Sequence, residues 1–185
     1  SDALIENNLM IGNTTNPIDA PFQLKGVRDI TVRANTVVGD FPGTSFGFLV
    51  GTNVDNPIVE DLFIHNNVFS DPTGTMGDMF CLTFGLTNNA TFILDNNLFW
   101  NCNQALPAGG GVLPSTDVHC VEADPVLCED YTTVVLPLWD TALHQFESGA
   151  TTIGEERERL IETYGRISGP SGVIGAADPT HMPTR

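Results

Sequence analysis

Four stretches of this chain align without a gap around one asparagine, and no other feature constrains the fold as tightly. They read DALIENNLMIGN from Asp2, DITVRANTVVGD from Asp29, DLFIHNNVFSDP from Asp61 and TFILDNNLFWNC from Thr91. The shared residues are Asn8, Asn35, Asn67 and Asn97, recurring after 27, 32 and 30 residues. A period of this size suits one unit of a stacked-repeat protein, with the variation in length falling in loops between motifs.

Within each motif hydrophobicity alternates with a period of two, which marks a strand. One face carries Ala3, Ile30, Leu62 and Phe92, then Ile5, Val32, Ile64 and Leu94, and should point into a core. The alternate face ends in Glu6, Arg33, His65 and Asp95, polar in every copy and expected to face outward. After the asparagine come Leu9, Thr36, Val68 and Leu98, then Met10, Val37, Phe69 and Phe99, a second apolar stretch round a corner. The asparagine itself is expected to take the left-handed backbone of that corner, which its short amide tolerates. Stacked at the inter-strand spacing of about 4.8 Å, its amide can also donate to the next, so that a buried polar column satisfies itself.

A further strand recurs after each corner, as PFQLKG, FGFLVG and MFCLTFG. The fourth copy dissolves into Asn103-Gln104-Ala105-Leu106-Pro107 and Gly109-Gly110-Gly111. The expected organisation is a single domain, with repeats over 1–106 and a capping region over 107–185 packed on them. In that region 131–136 reads as one more strand. GEERERLIETYG reads as one short helix with acids at its start, glycine at its end and a docking stripe of Leu160, Ile161 and Tyr164.

These residues resemble right-handed parallel β-helix proteins of the pectin-lyase-like superfamily. IENNLMIGN, IHNNVFSD and LDNNLFWN are similar to that group's hydrophobic-x-Asn-Asn-x-hydrophobic repeats. Ala123-Asp124-Pro125-Val126-Leu127-Cys128-Glu129-Asp130 resembles the Asp-Pro-containing segment that often follows the last coil, and Ser171-Gly172-Val173-Ile174-Gly175-Ala176 resembles the close of such chains. The resemblance spans residues 2 to 178 and implies an all-β solenoid with an asparagine ladder and an irregular C-terminal cap. It implies secretion and a carbohydrate-related role, because the superfamily contains polysaccharide lyases, hydrolases, epimerases and adhesins. Fold does not fix chemistry within such a group. Asp124-Pro125 lacks the following histidine of one catalytic signature, since Val126 stands there. The reading therefore leans against catalysis by this chain alone, with lyase-like chemistry as the enzymatic alternative.

Charge narrows the partners. With 23 acidic against 7 basic residues the net charge is −16, which disfavours nucleic acid and anionic membrane surfaces. No apolar run has the length of a membrane span. A polysaccharide, or a protein chain supplying upstream coils, remains. The chain opens in mid-pattern at Ser1-Asp2-Ala3-Leu4-Ile5, which leads to the expectation of a processed or truncated product. A non-catalytic adhesive or structural solenoid is the alternative to carbohydrate binding.

Several side chains carry candidate chemistry. Arg33 and His65 could supply the cation and base of a lyase, or belong to a cross-strand charge ladder of Glu6, Arg33, His65 and Asp95. Lys25 and Arg28 could bind uronate, and Phe63 could stack on a sugar. Leu4, Thr31, Phe63 and Ile93 form an outward row that a loop or the C-terminal segment is expected to cover. Asp2, Asp29 and Asp61 align before the strand, where they could hold Ca2+ or satisfy turn amides. Of four cysteines, Cys102 with Cys120 or Cys120 with Cys128 are the candidate disulfides, fitting an extracellular or periplasmic setting. Cys81 reads as a buried thiol in a strand.

Overall fold

Alternating apolar residues need a partner strand on each side before their backbone groups are satisfied, and here the partners are the other copies of the motif. The computed structural model describes residues 3–51, 55, 59–76, 78–82, 92–101, 117, 119–127, 137–171 and 173–181. Strands are numbered in chain order. The first parallel sheet runs β1 (Ala3–Glu6), β4 (Arg28–Arg33), β7 (Glu60–His65) and β10 (Phe92–Asp95). A second holds β2 (Leu9–Ile11), β5 (Thr36–Val38), β8 (Val68–Ser70) and β11 (Leu98–Trp100), in that order. The third is β3 (Phe22–Lys25), β6 (Phe46–Gly51) and β9 (Asp78–Leu82).

The register is the one the aligned motifs require. Glu6, Arg33, His65 and Asp95 are successive partners across the first sheet, as are Leu4, Thr31, Phe63 and Ile93. A slip of one residue would turn every apolar side chain outward. Ile30, Val32, Leu62, Ile64 and Leu94 are buried, and Val37, Phe69 and Phe99 of the second sheet join them in one core. Burying each such side chain is worth about 1.5–3 kcal/mol. Phe22 stacks on Phe48 at 5.0 Å between ring centres, and Phe48, Phe69 and Phe99 follow at 5.2 and 5.8 Å.

The corner differs from expectation. Left-handed backbone falls on the residue before the aligned asparagine: Asn7, Ala34, Asn66 and Asn96, with φ of 57°, 51°, 56° and 54°. The bend at that residue turns the next side chain inward, where the column forms. At the far end of the second sheet, Gly39 (φ 138°) passes so close to Gly12 that a Cβ would lie 2.1 Å from the Gly12 carbonyl oxygen.

Among the described residues of the C-terminal part there is one α-helix, α1 (Ile153–Leu160), continued by a π turn (Ile161–Gly165). Thr152 caps it, accepting from the Glu155 N–H while the Glu155 carboxylate reaches back to the Thr152 N–H. A short antiparallel hairpin, β12 (Trp139–Asp140) and β13 (Gln145–Phe146), precedes it. Of the expected docking stripe, Tyr164 is buried with Val38, and Leu160, Leu9, Ile11 and Leu127 pack around the pair. Ile161 is only partly covered, at 38% exposure. The expected strand at 131–136 lies outside the described residues. No helix of the described residues is long and apolar enough to cross a membrane.

Candidate functional site

Each sheet turns one face away from the core, and the C-terminal part treats those of the first two differently. The second sheet's outer face is covered by α1, the π turn and Leu127. The first sheet's is open: Leu4 is 51% exposed and Ile93 41%. Leu4 and Ile93, at the two ends of the row, thus lack the cover expected from a loop or the C-terminal segment, while Thr31 and Phe63 between them are half-buried. Tyr164 and Leu160 are instead seated on Leu9, Ile11 and Val38, three branched side chains that β2 and β5 turn toward the helix.

Along the open face the polar row resolves into two ion pairs. Arg33 Nε donates to Glu6 Oε2 at 2.7 Å, with both side chains about four-fifths buried. Asp95 Oδ1 meets Nδ1 of His119 at 2.6 Å. That hydrogen bond, reinforced by the negative charge of Asp95, raises the pKa of His119 above its ordinary 6.5. His65 lies between the pairs in the register and is buried. Thr31, Arg33, Phe63, His65, Ile93 and Asp95 line a depression of about 270 Å³. Its lining sets the apolar Phe63 and Ile93 beside the polar Arg33, His65 and Asp95.

Behind this face runs the asparagine column. Asn8 Nδ2 donates to Asn35 Oδ1 at 2.8 Å, Asn35 Nδ2 to Asn67 Oδ1 at 2.9 Å, and Asn67 Nδ2 to Asn97 Oδ1 at 3.0 Å. Each receiving oxygen also accepts the backbone N–H of the preceding asparagine, at 3.1 Å. The second Nδ2 hydrogen returns to a carbonyl of the repeat before: Ile5 for Asn35, Val32 for Asn67, Ile64 for Asn97. The column ends on Asp117, whose Oδ2 accepts both Nδ2 and backbone N–H of Asn97. Its Oδ1 accepts the N–H groups of Asn96 and His119.

Sequence reasoning missed Asp117 and His119. They follow the last asparagine after only about two-thirds of the usual interval, and neither is an asparagine. The available signal was the spacing Asp117-Val118-His119, a polar residue on either side of one apolar residue. A parallel bridge from Leu98 to Val121 follows it.

The other nominated residues are dispersed. Arg28 pairs with Glu60 at 3.1 Å, while Lys25 ends β3 in the third sheet opposite Gly51. Asp29 and Asp61 both take left-handed backbone, with φ of 56° and 55°. Asp2 lies outside the described residues, and among those described no group of three acids, histidines or cysteines is placed to hold a metal ion. Cys120 is a free thiol whose pKa burial pushes up to about 12, with Asp117 and Glu122 adding to the effect. Its nominated partners Cys102 and Cys128 lie outside the described residues. Cys81 is in β9, opposite Leu49.

Compared with protein-family models, curated proteins and solved structures, the chain matches none.

Proposed function

We propose that this chain is a stretch of right-handed parallel β-helix, of the pectin-lyase-like kind, that binds a neutral carbohydrate on the open face of its first sheet. The observation that carries this reading is the depression between Phe63 and Ile93 on one side and Arg33 and Asp95 on the other. Sugar rings present an apolar C–H face and a rim of hydroxyls, which suits apolar side chains beside held polar groups. Three parallel sheets recurring in the same order support the β-helix, and crossovers between parallel strands are right-handed almost without exception. A net charge of −16 favours neutral over acidic glycans. Secretion follows from this reading and from the family resemblance.

Binding is preferred to processing. A lyase needs a cation free to meet a developing enolate, and Arg33 is held by Glu6. The test is an NMR titration of the protein with oligosaccharides of neutral xylan, mannan and β-glucan, with oligogalacturonate as the acidic comparison. The expected result is perturbation of Thr31, Phe63 and Ile93 by a neutral sugar, abolished by Phe63→Ala. Equal binding by the variant, a response to oligogalacturonate alone, or no response to any sugar would overturn it.

A second reading, a structural solenoid that joins another chain, is favoured by the open edges. β1, β2 and β3 each stand last in their sheets, and Ile5 and Met10 are only half-buried where Val32 and Val37 behind them are fully so. Exposed edges of this kind recruit further strands.

A further inference from the structure

The segment 173–181 is tied to the stacked sheets by the outer members of two asparagine pairs. Asn66 Nδ2 donates to the Asp178 carbonyl at 3.1 Å, and Asn66 Oδ1 accepts the Asp178 N–H at 2.9 Å. Asn96 Nδ2 donates to the Ala176 carbonyl at 2.8 Å. Asn66 and Asn96 are the left-handed residues of their corners, so their side chains serve this segment while Asn67 and Asn97 build the column. The segment thus passes from the fourth repeat to the third, one residue along the chain from Asp95 and His65, which line the depression. Upstream, the Ser168 and Ser171 hydroxyls donate to the Val126 and Pro125 carbonyls. Gly175, at φ 80° with open space where a Cβ would stand, lies between the two anchorages.

Charge gathers at the same place. Asp117 Oδ1 accepts the N–H groups of Asn96 and His119, and His119 Nδ1 meets Asp95 Oδ1 at 2.6 Å. A run of hydrogen bonds therefore links Asp95, His119, Asp117 and Asn96 to Ala176 of the docked segment. Among the described residues three carboxylates act on the imidazole: Asp95 from β10, Asp117 from its own segment and Asp178 from the docked one. The hydrogen bond and charge of Asp95 raise the His119 pKa most, and Asp117 and Asp178 add to the rise. The ring is mostly exposed, so its proton exchanges freely with solvent.

We infer that residues 176–181 form a pH-operated latch, closed over Asn66 and Asn96 while His119 carries its proton and loosened when the proton leaves. With the proton, one positive charge sits among three negative ones. Without it three carboxylates repel one another, and moving Asp178 away relieves the repulsion. Asp178 raises the His119 pKa only while docked, so docking is strengthened below that pKa and weakened as pH rises through it. Opening uncovers the Asn66 and Asn96 amides next to His65 and Asp95 and so extends the polar rim of the depression. The latch does not require that the depression take a sugar.

The experiment follows hydrogen exchange of the Asp178 amide, held by Asn66 Oδ1, in the whole protein. Protection is compared at about pH 5.5 and about pH 8.5, on either side of histidine titration, with rates corrected for intrinsic exchange. The expected result is an open state roughly two- to fivefold more populated at the higher pH, the range for an exposed charge interaction. The buried Val32 and Ile64 amides should stay far slower at both values, which marks the opening as local. The pH response should vanish in His119→Gln and shrink in Asp178→Asn. Asp178→Asn leaves both backbone bonds to Asn66 in place, so it decides alone should His119→Gln not fold. Equal protection of the residue 178 amide at both pH values overturns the latch. So does a full response in Asp178→Asn, or one that Val32 and Ile64 share in proportion.

Discussion

Asp117 Oδ2 accepts from Asn97 twice, from Nδ2 at 2.9 Å and from the backbone N–H at 3.0 Å. The carboxylate is buried, and its other oxygen holds the Asn96 and His119 N–H groups. Four donors thus converge on one side chain. Asp117→Asn keeps the shape but turns an NH2 group toward two of those donors. The expected loss is about 2–3 kcal/mol in chemical denaturation, the range for buried bonds to a charged group. A midpoint unchanged from the parent would mean that the column does not depend on this stop.

Cost along the column should rise with burial. Asn67→Ala removes bonds to Asn97 and Val32 and strips the Asn35 amide of its acceptor, all out of water. About 2–4 kcal/mol is expected. Asn8→Ala, at the exposed end, should cost about 1 kcal/mol or less. Comparing the two by urea titration checks the gradient, and equal losses would count against it.

His119 gives a pH signature. Its folded pKa lies above 6.5, so the stabilisation is complete below the unfolded value and disappears as pH rises through the folded one. The difference in stability between the parent and His119→Gln should therefore be present at acid pH and absent well above neutrality. An NMR titration of the ring should place its pKa above 6.5 in the parent and lower in Asp95→Asn. No change on that substitution would remove Asp95 as the cause.

Gly39→Ala tests the closeness of neighbouring repeats. The new methyl would meet the Gly12 backbone, which cannot swing aside, at a φ that side chains rarely adopt. A loss of about 3 kcal/mol or more, or failure to recover soluble protein, is the expected outcome. A melting temperature within a degree or two of the parent would show that the two strands can part.

Ala34 stands where the other three repeats have asparagine, at a left-handed φ of 51°. Asparagine tolerates that region better, so Ala34→Asn should stabilise the fold by about 0.5–1 kcal/mol in thermal unfolding. A destabilised variant would mean that the space beside the corner has no room for the amide.

What the sequence made legible was what repeats. Ile30, Val32, Leu62 and Ile64 announce their burial by alternation, and four motifs in parallel fix the register of Glu6, Arg33, His65 and Asp95. The corner was assigned to the right dipeptide but the wrong member, because Asn7-Asn8, Asn66-Asn67 and Asn96-Asn97 read alike in either role. Only Ala34-Asn35 separates the two, since an alanine cannot join an amide column. Asp117 and His119 were hidden by an interval that breaks the period. Leu4 and Ile93 were expected under cover because apolar residues on a wet face usually are. Which of two faces receives the helix depends on the fit of Tyr164 beside Val38, and no spacing in the chain encodes that.

The column of asparagines has an electrostatic counterpart in the α-helix. Its amides point the same way, carbonyl oxygens toward Asn8 and N–H groups toward Asp117, so their dipoles add along the stack. Asp117 then does for this side-chain array what an acidic N-cap does for a helix, setting negative charge against a partially positive terminus. At the other pole a fractional negative charge collects on the exposed oxygen of Asn8. The protein therefore carries a polarity that distinguishes one end of the stack from the other.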